Sequence, residues 1–288
     1  MMAVPSGPRG NARSIGAAAA LVASALLLLA GGCARVGTLA AGESAPDRPP
    51  AADTVRVLAY NIHHGEGMDS VIDLRRVAEL ILKHDPDLVA LQEIDSVVAR
   101  TNGVDQAAEL GRLTGMTAVF GRFMPYQGGA YGMALLSRWP IRSTVNHRLP
   151  DGAEPRSALE AVVVSPTTGQ EIRFVGVHFY RTEEERSAQA DTLDARLFGG
   201  VDAELPTILA GDFNSEPRTR VIDDRARRWV VIDKGEDRLT YSSFDPVREI
   251  DFVMVHPGPS FRVLDEYVVD EPVISDHRPL VVVLAVTR

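Results

Sequence analysis

The side chains able to hold a cation, grip a phosphate or move a proton fall into six short clusters. They are Asn61 with His63 and His64, Gln92 with Glu93, His178, Asp212 with Asn214, Asp251, and Asp276 with His277. Carboxylates and amides dominate, and the chain has one thiol, Cys33. Such an oxygen-rich set suits Mg²⁺ or Mn²⁺, with Ca²⁺ as an alternative, over zinc. Cleaving a phosphate ester needs charge neutralised on the phosphate oxygens, a deprotonated water and a steadied leaving oxygen. A carboxylate-bound cation meets the first and third needs. A histidine oriented by a buried carboxylate meets the second. Asp251 stands between Ile250 and Phe252, where a carboxylate must be paired or face water, and His277 is its candidate partner. Taken singly these residues are weak signals, since an Asp after a strand commonly serves a turn. Five of these clusters stand at strand ends and Asp251 sits inside a strand, and together the six point to one shared rim.

Delivering six clusters to one rim requires strands that stop there. Thr54 to Tyr60 alternates apolar and polar residues and predicts a strand. Leu74, Val77, Ala78 and Ile81 share one helical stripe. Residues 87–92 read as a buried strand, and Ala107, Leu110 and Leu113 as a second helix. Strands are expected at 131–137 and 157–164, with a turn at 166–169 leading into 172–178 as a hairpin. Ala190, Leu193 and Leu197 mark a third helix, and 206–210, 250–255, 261–268 and 280–286 complete the strands. Many strands with few helices imply sheets packed face to face with helices outside. No internal repeat or second linker is visible, so 54–288 reads as one domain.

The 288 residues are 45% hydrophobic and 24% charged, which excludes a disordered polyelectrolyte, a collagen-like repeat and a polytopic membrane protein. Net charge is −9, and the two basic residues of the first 32, Arg9 and Arg13, leave the rest more negative still. That argues against broad, non-specific attachment to nucleic acid, which needs many Lys and Arg contacts. It leaves open an enzyme that cuts a phosphodiester with a bound cation. Arg9 and Arg13 precede an apolar run from Ile15 to Ala30 that ends in small residues, which reads as a signal peptide over 1–32. Leu29-Ala30-Gly31-Gly32-Cys33 resembles a bacterial lipoprotein signal, with Cys33 as the lipidated mature N-terminus. Ala30 stands where that pattern prefers Leu. Residues 33–53 read as a flexible linker. The expected product is an exported lipoprotein, anchored to a membrane and facing the periplasm or cell exterior, or otherwise secreted.

The ordered set Tyr60-Asn61-Ile62-His63-His64-Gly65, Leu91-Gln92-Glu93-Ile94, Val177-His178, Gly211-Asp212-Phe213-Asn214, Ile250-Asp251-Phe252-Val253 and Ser275-Asp276-His277-Arg278-Pro279 resembles the endonuclease/exonuclease/phosphatase superfamily across 54–288. The resemblance implies an α/β fold, a four-layer sandwich with two face-to-face mixed β-sheets flanked by helices and a metal site at one edge. It implies Glu93 as the main metal ligand, with Asn61 beside it and Asp276 as a further ligand. Asp212 and Asn214 correspond to the pair that orients the attacking water and the phosphate. His277 corresponds to the catalytic histidine, Asp251 to the carboxylate orienting it, and His178 to the second histidine. Whether His277 or Asp212 is the base stays open at this level.

Arg100 and Arg156 are placed to grip phosphate with two-point geometry, although a surface ion pair is the commoner use of an arginine. Arg156 is taken as substrate-binding. Gly128 to Gly132 reads as a tight turn or a close backbone approach to substrate, and Met133 stands where relatives often carry Asn. The expected partner is a phosphate ester: nucleic acid, a phospholipid head group or a small phosphodiester. No obligate protein partner is evident. The leading expectation is a nuclease-like phosphodiesterase. The alternatives are a lipid-directed (sphingomyelinase-like or inositol-phosphate) enzyme and a binding module that kept the fold without turnover. Arg218, Arg220, Arg225, Arg227 and Arg228 are interrupted by Asp223 and Asp224 and read as a solvated helix face. Phe123 to Tyr126 reads either as an apolar membrane loop or as a buried strand end.

Overall fold

The computed structural model describes residues 53–200 and 202–287. The expected signal peptide, Cys33 and all but the last residue of the expected linker lie outside the described residues.

In chain order the elements begin with β1 (Thr54–Asn61), α1 (Leu74–His84), β2 (Leu88–Ser96) and α2 (Gln106–Thr114). Next come β3 (Thr117–Tyr126), β4 (Gly129–Ser137), β5 (Ile141–Arg148), β6 (Ser157–Val164) and β7 (Glu171–His178). Then follow α3 (Glu183–Phe198), β8 (Thr207–Asp212), α4 (Arg220–Arg225), β9 (Val230–Val231), β10 (Asp251–His256), β11 (Phe261–Val268) and β12 (Leu280–Val286). The strands form two six-stranded mixed sheets, ordered β11-β12-β1-β2-β4-β3 and β5-β6-β7-β8-β10-β9.

Period-two alternation decides the layering. In β1, Val55, Val57 and Ala59 join a core that also draws Phe174, Ile208, Ala210 and Val253 from the second sheet. Their neighbours Leu58 and Tyr60 face the other way, onto Val77 and Ile81 of α1 and Leu110 of α2. In the second sheet Val175, Val177, Leu209 and Phe252 turn outward onto Ala190, Leu193 and Leu197 of α3 and Val221 of α4. The order is therefore helices, sheet, sheet, helices: the expected sandwich. Among the described residues no helix is long and apolar enough to cross a membrane.

The helix ends follow local chemistry. Asp73 caps α1 by accepting from Arg75 N at 2.8 Å, and Lys83 and His84 in the last turn complement the helix dipole. Asp105 caps α2, and Gly115 closes it with φ 69°. α3 starts well before its apolar stripe because Glu183, Glu184 and Glu185 favour the positive end of the helix dipole.

β3, β5 and β9 carry no readable apolar alternation. β5 is an edge strand with mostly exposed side chains, so burial imposed no pattern on it. β3, at the other sheet's edge, accommodates Pro125 there and ends with Phe123 buried, which settles 123–126 as a strand end.

Candidate functional site

Strand direction brings the six clusters together. β1 and β2 run parallel, so Asn61 at the C-terminal end of β1 pairs with Gln92, midway along β2. β7 and β8 run parallel, so His178 pairs with Asp212. β10 runs against β8, which sets its first residue, Asp251, opposite Asp212. His277 precedes the antiparallel β12 and bridges to Tyr241.

Asn61 sits at the centre. Its Nδ2 lies 3.2 Å from Glu93 Oε1, 3.2 Å from Asp212 Oδ2 and 3.4 Å from His277 Nε2. Its Oδ1 is turned away and accepts from His63 N at 3.1 Å. Asn61, expected as a metal ligand, thus presents a donor to the carboxylates in this orientation and holds Glu93 in place.

Glu93 owes its aim to a β-bulge. The β2–β4 register slips between Gln92 and Ile94, and Glu93 has φ 60°. The extra residue lets Leu91 and Ile94 both face the helices while Glu93 turns to the rim.

Asp251 and His277 form the expected pair, Oδ2 to Nδ1 at 2.9 Å, both buried. Asp212 also receives the backbone N–H of Asn214 at 2.7 Å and stands 3.4 Å from His178 Nε2. Asn214 donates its Nδ2 to Phe179 O at 3.0 Å. Asp276 Oδ1 accepts from Ser275 Oγ at 3.3 Å. Glu93, Arg156, His178, Asp212, Asn214, Asp276 and His277 line one cavity of about 450 Å³, with Asn61 and Asp251 buried behind it.

Buried charge sets the protonation states. Burial, then the negative charge of Asp251, pushes Asp212 up to about 7. Burial works against a charged His277, but the charge and hydrogen bond of Asp251, with Asp212 and Asp276, outweigh it and raise His277 to about 10. His178 goes the other way, held neutral first by burial and then by the positive charges of Arg156 and His277.

Arg156 is only 4% exposed, pairs with Glu154 at 2.9 Å and lies 5.2 Å from the Phe123 ring centre. Arg100 reaches the same cavity, but Asp95 takes its Nε and Nη2 at 2.7 and 2.9 Å. The sequence reading missed Tyr131, Tyr241, Arg181 and Arg248 on the cavity wall. Their only advance signal was proximity to a motif, as with Arg181 three residues beyond His178.

A divalent cation fits this donor set. Glu93, Asp212, Asp251 and Asp276 crowd one rim, and among the described residues none of these carboxylates has an Arg or Lys ion-pair partner. Their ion-pair contacts are the imidazoles of His178 and His277. Glu93 Oε1 and Asp212 Oδ2 lie close enough together to accept from the one Asn61 Nδ2, at 3.2 Å each.

The model of the Endonuclease/Exonuclease/phosphatase family matches residues 58–277. YbhP of Escherichia coli (strain K12) is 31% identical over 168 residues, which is 55% of this chain and 66% of YbhP, just under two thirds of that relative. The mannosyl-6-phosphatase Bt3783 of Bacteroides thetaiotaomicron VPI-5482 has the same fold, with TM-score 0.67 and 21% identity over 80% of this chain and 99% of that one. The human Nocturnin catalytic domain with bound sulfate gives TM-score 0.63 and 21% identity, over 81% and 95%.

Proposed function

The chain belongs to the endonuclease/exonuclease/phosphatase family, whose members are phosphoesterase hydrolases, and from that premise we propose that it is a divalent-cation-dependent phosphodiesterase of nuclease-like type. The observation that carries the proposal is the Asn61 amide, which donates to both Glu93 and Asp212 and stands 3.4 Å from His277 Nε2.

Glu93 and Asp276 would hold Mg²⁺ or Mn²⁺, with Ca²⁺ as an alternative, and Asn61 would steady Glu93. Such a cation neutralises charge on the phosphate oxygens and steadies the departing oxygen. Asp212, poised near neutrality, accepts the proton of the attacking water. The Asn214 backbone N–H keeps the second carboxylate oxygen of Asp212 fixed while it does so. His277, kept charged by Asp251, donates to a phosphate oxygen rather than acting as the base. Neutral His178 offers a hydrogen bond beside Asp212, and Arg156, its charge shared with Glu154, presents N–H donors at the cavity wall.

A second reading, a lipid-directed enzyme, draws on Phe244 and Val247. They are 75% and 66% exposed on the loop between the cavity residues Tyr241 and Arg248. The export leader is likewise a proposal. Arg9, Arg13, the apolar run and Cys33 support lipidation, and intact mass of the cell-derived protein tests it.

Turnover of bis-p-nitrophenyl phosphate with Mg²⁺ or Mn²⁺, abolished by EDTA, tests the function. A panel of plasmid DNA, RNA, sphingomyelin, inositol phosphates and a phosphomonoester then separates the substrate classes. Absence of hydrolysis with every cation would leave only the binding-module reading.

A further inference from the structure

The tight turn that follows β1 carries two histidines that the hydrolytic scheme does not use. One ring nitrogen of His63, one of His64 and one carboxylate oxygen of Glu93 all lie within 4.8 Å of one another. The rings stand edge to face with centroids 4.5 Å apart. Both residues have φ 45°, a region that residues with a side chain seldom occupy. The turn is tied in place on both sides: His63 N donates to Asn61 Oδ1, and Gln106 Nε2 donates to His64 O at 2.7 Å.

Glu66 decides which nitrogens are free. His63 Nδ1 lies 3.2 Å from the Glu66 carbonyl oxygen, which only accepts, so Nδ1 carries the hydrogen. His64 Nε2 lies 3.1 Å from Glu66 Oε2, so Nε2 carries the hydrogen there. Lone pairs are left on His63 Nε2 and His64 Nδ1. His64 Nδ1 is buried without a hydrogen-bond partner, on a side chain only 8% exposed. A carboxylate that fixes the far nitrogen of a ligating imidazole is the usual support of a metal-bound histidine. The neighbouring positive charge of Arg100 does not oppose a cation, because Asp95 neutralises it through two hydrogen bonds.

We propose that His63, His64 and Glu93 form a second metal site, distinct in chemistry from the oxygen-rich cavity and suited to a transition-metal ion of the Zn²⁺ or Co²⁺ class. Two imidazoles and one carboxylate are the ligand set such ions prefer over Mg²⁺. An ion at about 2.0–2.2 Å from each ligand draws the three atoms closer together and leaves a fourth position open. Glu93, with two carboxylate oxygens, belongs to both sites. The inference does not depend on the hydrolase reading, because its readout is binding.

Co²⁺ titration of the full chain, free of any affinity tag and in excess Mg²⁺, tests it by visible absorption. The expected result is one saturable equivalent with the intense bands of four-coordinate Co²⁺. His63→Ala and His64→Ala together abolish those bands, while Asp276→Asn, which alters only the oxygen-rich cavity, keeps them. Glu66→Ala leaves all three ligands in place and weakens Co²⁺ binding by about 10–100-fold. No saturable absorption in the native chain, or absorption that survives loss of both histidines, would overturn the proposal.

Discussion

At the scale of single residues, the division of labour between Asp212 and His277 is a matter of which charge each can keep. The two stand beside the same amide, Asn61, yet the raised pKa of each has opposite consequences. A carboxyl raised to about 7 becomes a competent base in the neutral range, whereas an imidazole raised to about 10 is a cation there. The expected pH profile of kcat/KM rises with ionisation of Asp212 at or below about pH 7 and falls as His277 loses its proton near 10. A bound cation favours the carboxylate and moves the acid limb lower. In His277→Gln the alkaline limb disappears and turnover falls by about 10²–10⁴-fold. A retained alkaline limb would reassign it to another group. Glu93→Gln, by contrast, is expected to weaken Mn²⁺ binding measured by calorimetry while leaving the Asp251–His277 pair intact.

At the scale of elements, placement of these groups depends on backbone features that side-chain pattern does not announce. The run Leu91-Gln92-Glu93-Ile94 marked Glu93 as chemical, but nothing in it signals the bulge that turns Glu93 to the rim. The edge strands β3 and β5 escaped notice for a related reason, since a strand that buries little is free of alternation. Strands buried on both faces, such as β6 and β12, were legible almost to the residue. The motif residues were legible as well, because a carboxylate or imidazole at the end of an apolar run has no packing role to hide behind. What stayed hidden was orientation: that Asn61 offers its nitrogen, and that Arg100 is already engaged by Asp95. Gly211 illustrates a backbone demand that is visible only in the fold. It has φ 142°, and a Cβ there would stand 2.1 Å from Val177 O on the adjacent strand. Gly211→Ala must therefore push β7 and β8 apart just where His178 and Asp212 pair. The expected cost is roughly 1–3 kcal/mol, read by urea unfolding, with activity lost beyond what stability explains.

At the scale of the whole molecule, the sandwich gathers more negative charge at one edge than its own residues neutralise, and folding stability should register that. Without a cation, and once Asp212 has ionised near pH 7, His277 is the member of this cluster that answers to rising pH. Its folded pKa, about 10, lies above the unfolded value of 6.5, so the folded state holds a proton that the unfolded state has released. The stabilisation is complete below about pH 6.5 and is lost as pH rises towards 10. The melting temperature of the cation-free chain should therefore decline between pH 7 and 9.5 more steeply than that of His277→Gln. Each 1 kcal/mol corresponds to about 2–4 °C for a domain of this size. Mg²⁺ or Mn²⁺ supplies the missing positive charge from outside and binds only the folded chain. At 100 times its dissociation constant it should add about 2.7 kcal/mol to stability. The gain should vanish when Glu93→Gln and Asp276→Asn are combined. A thermal shift that persists in that double variant would mean that the cation binds elsewhere than at Glu93 and Asp276.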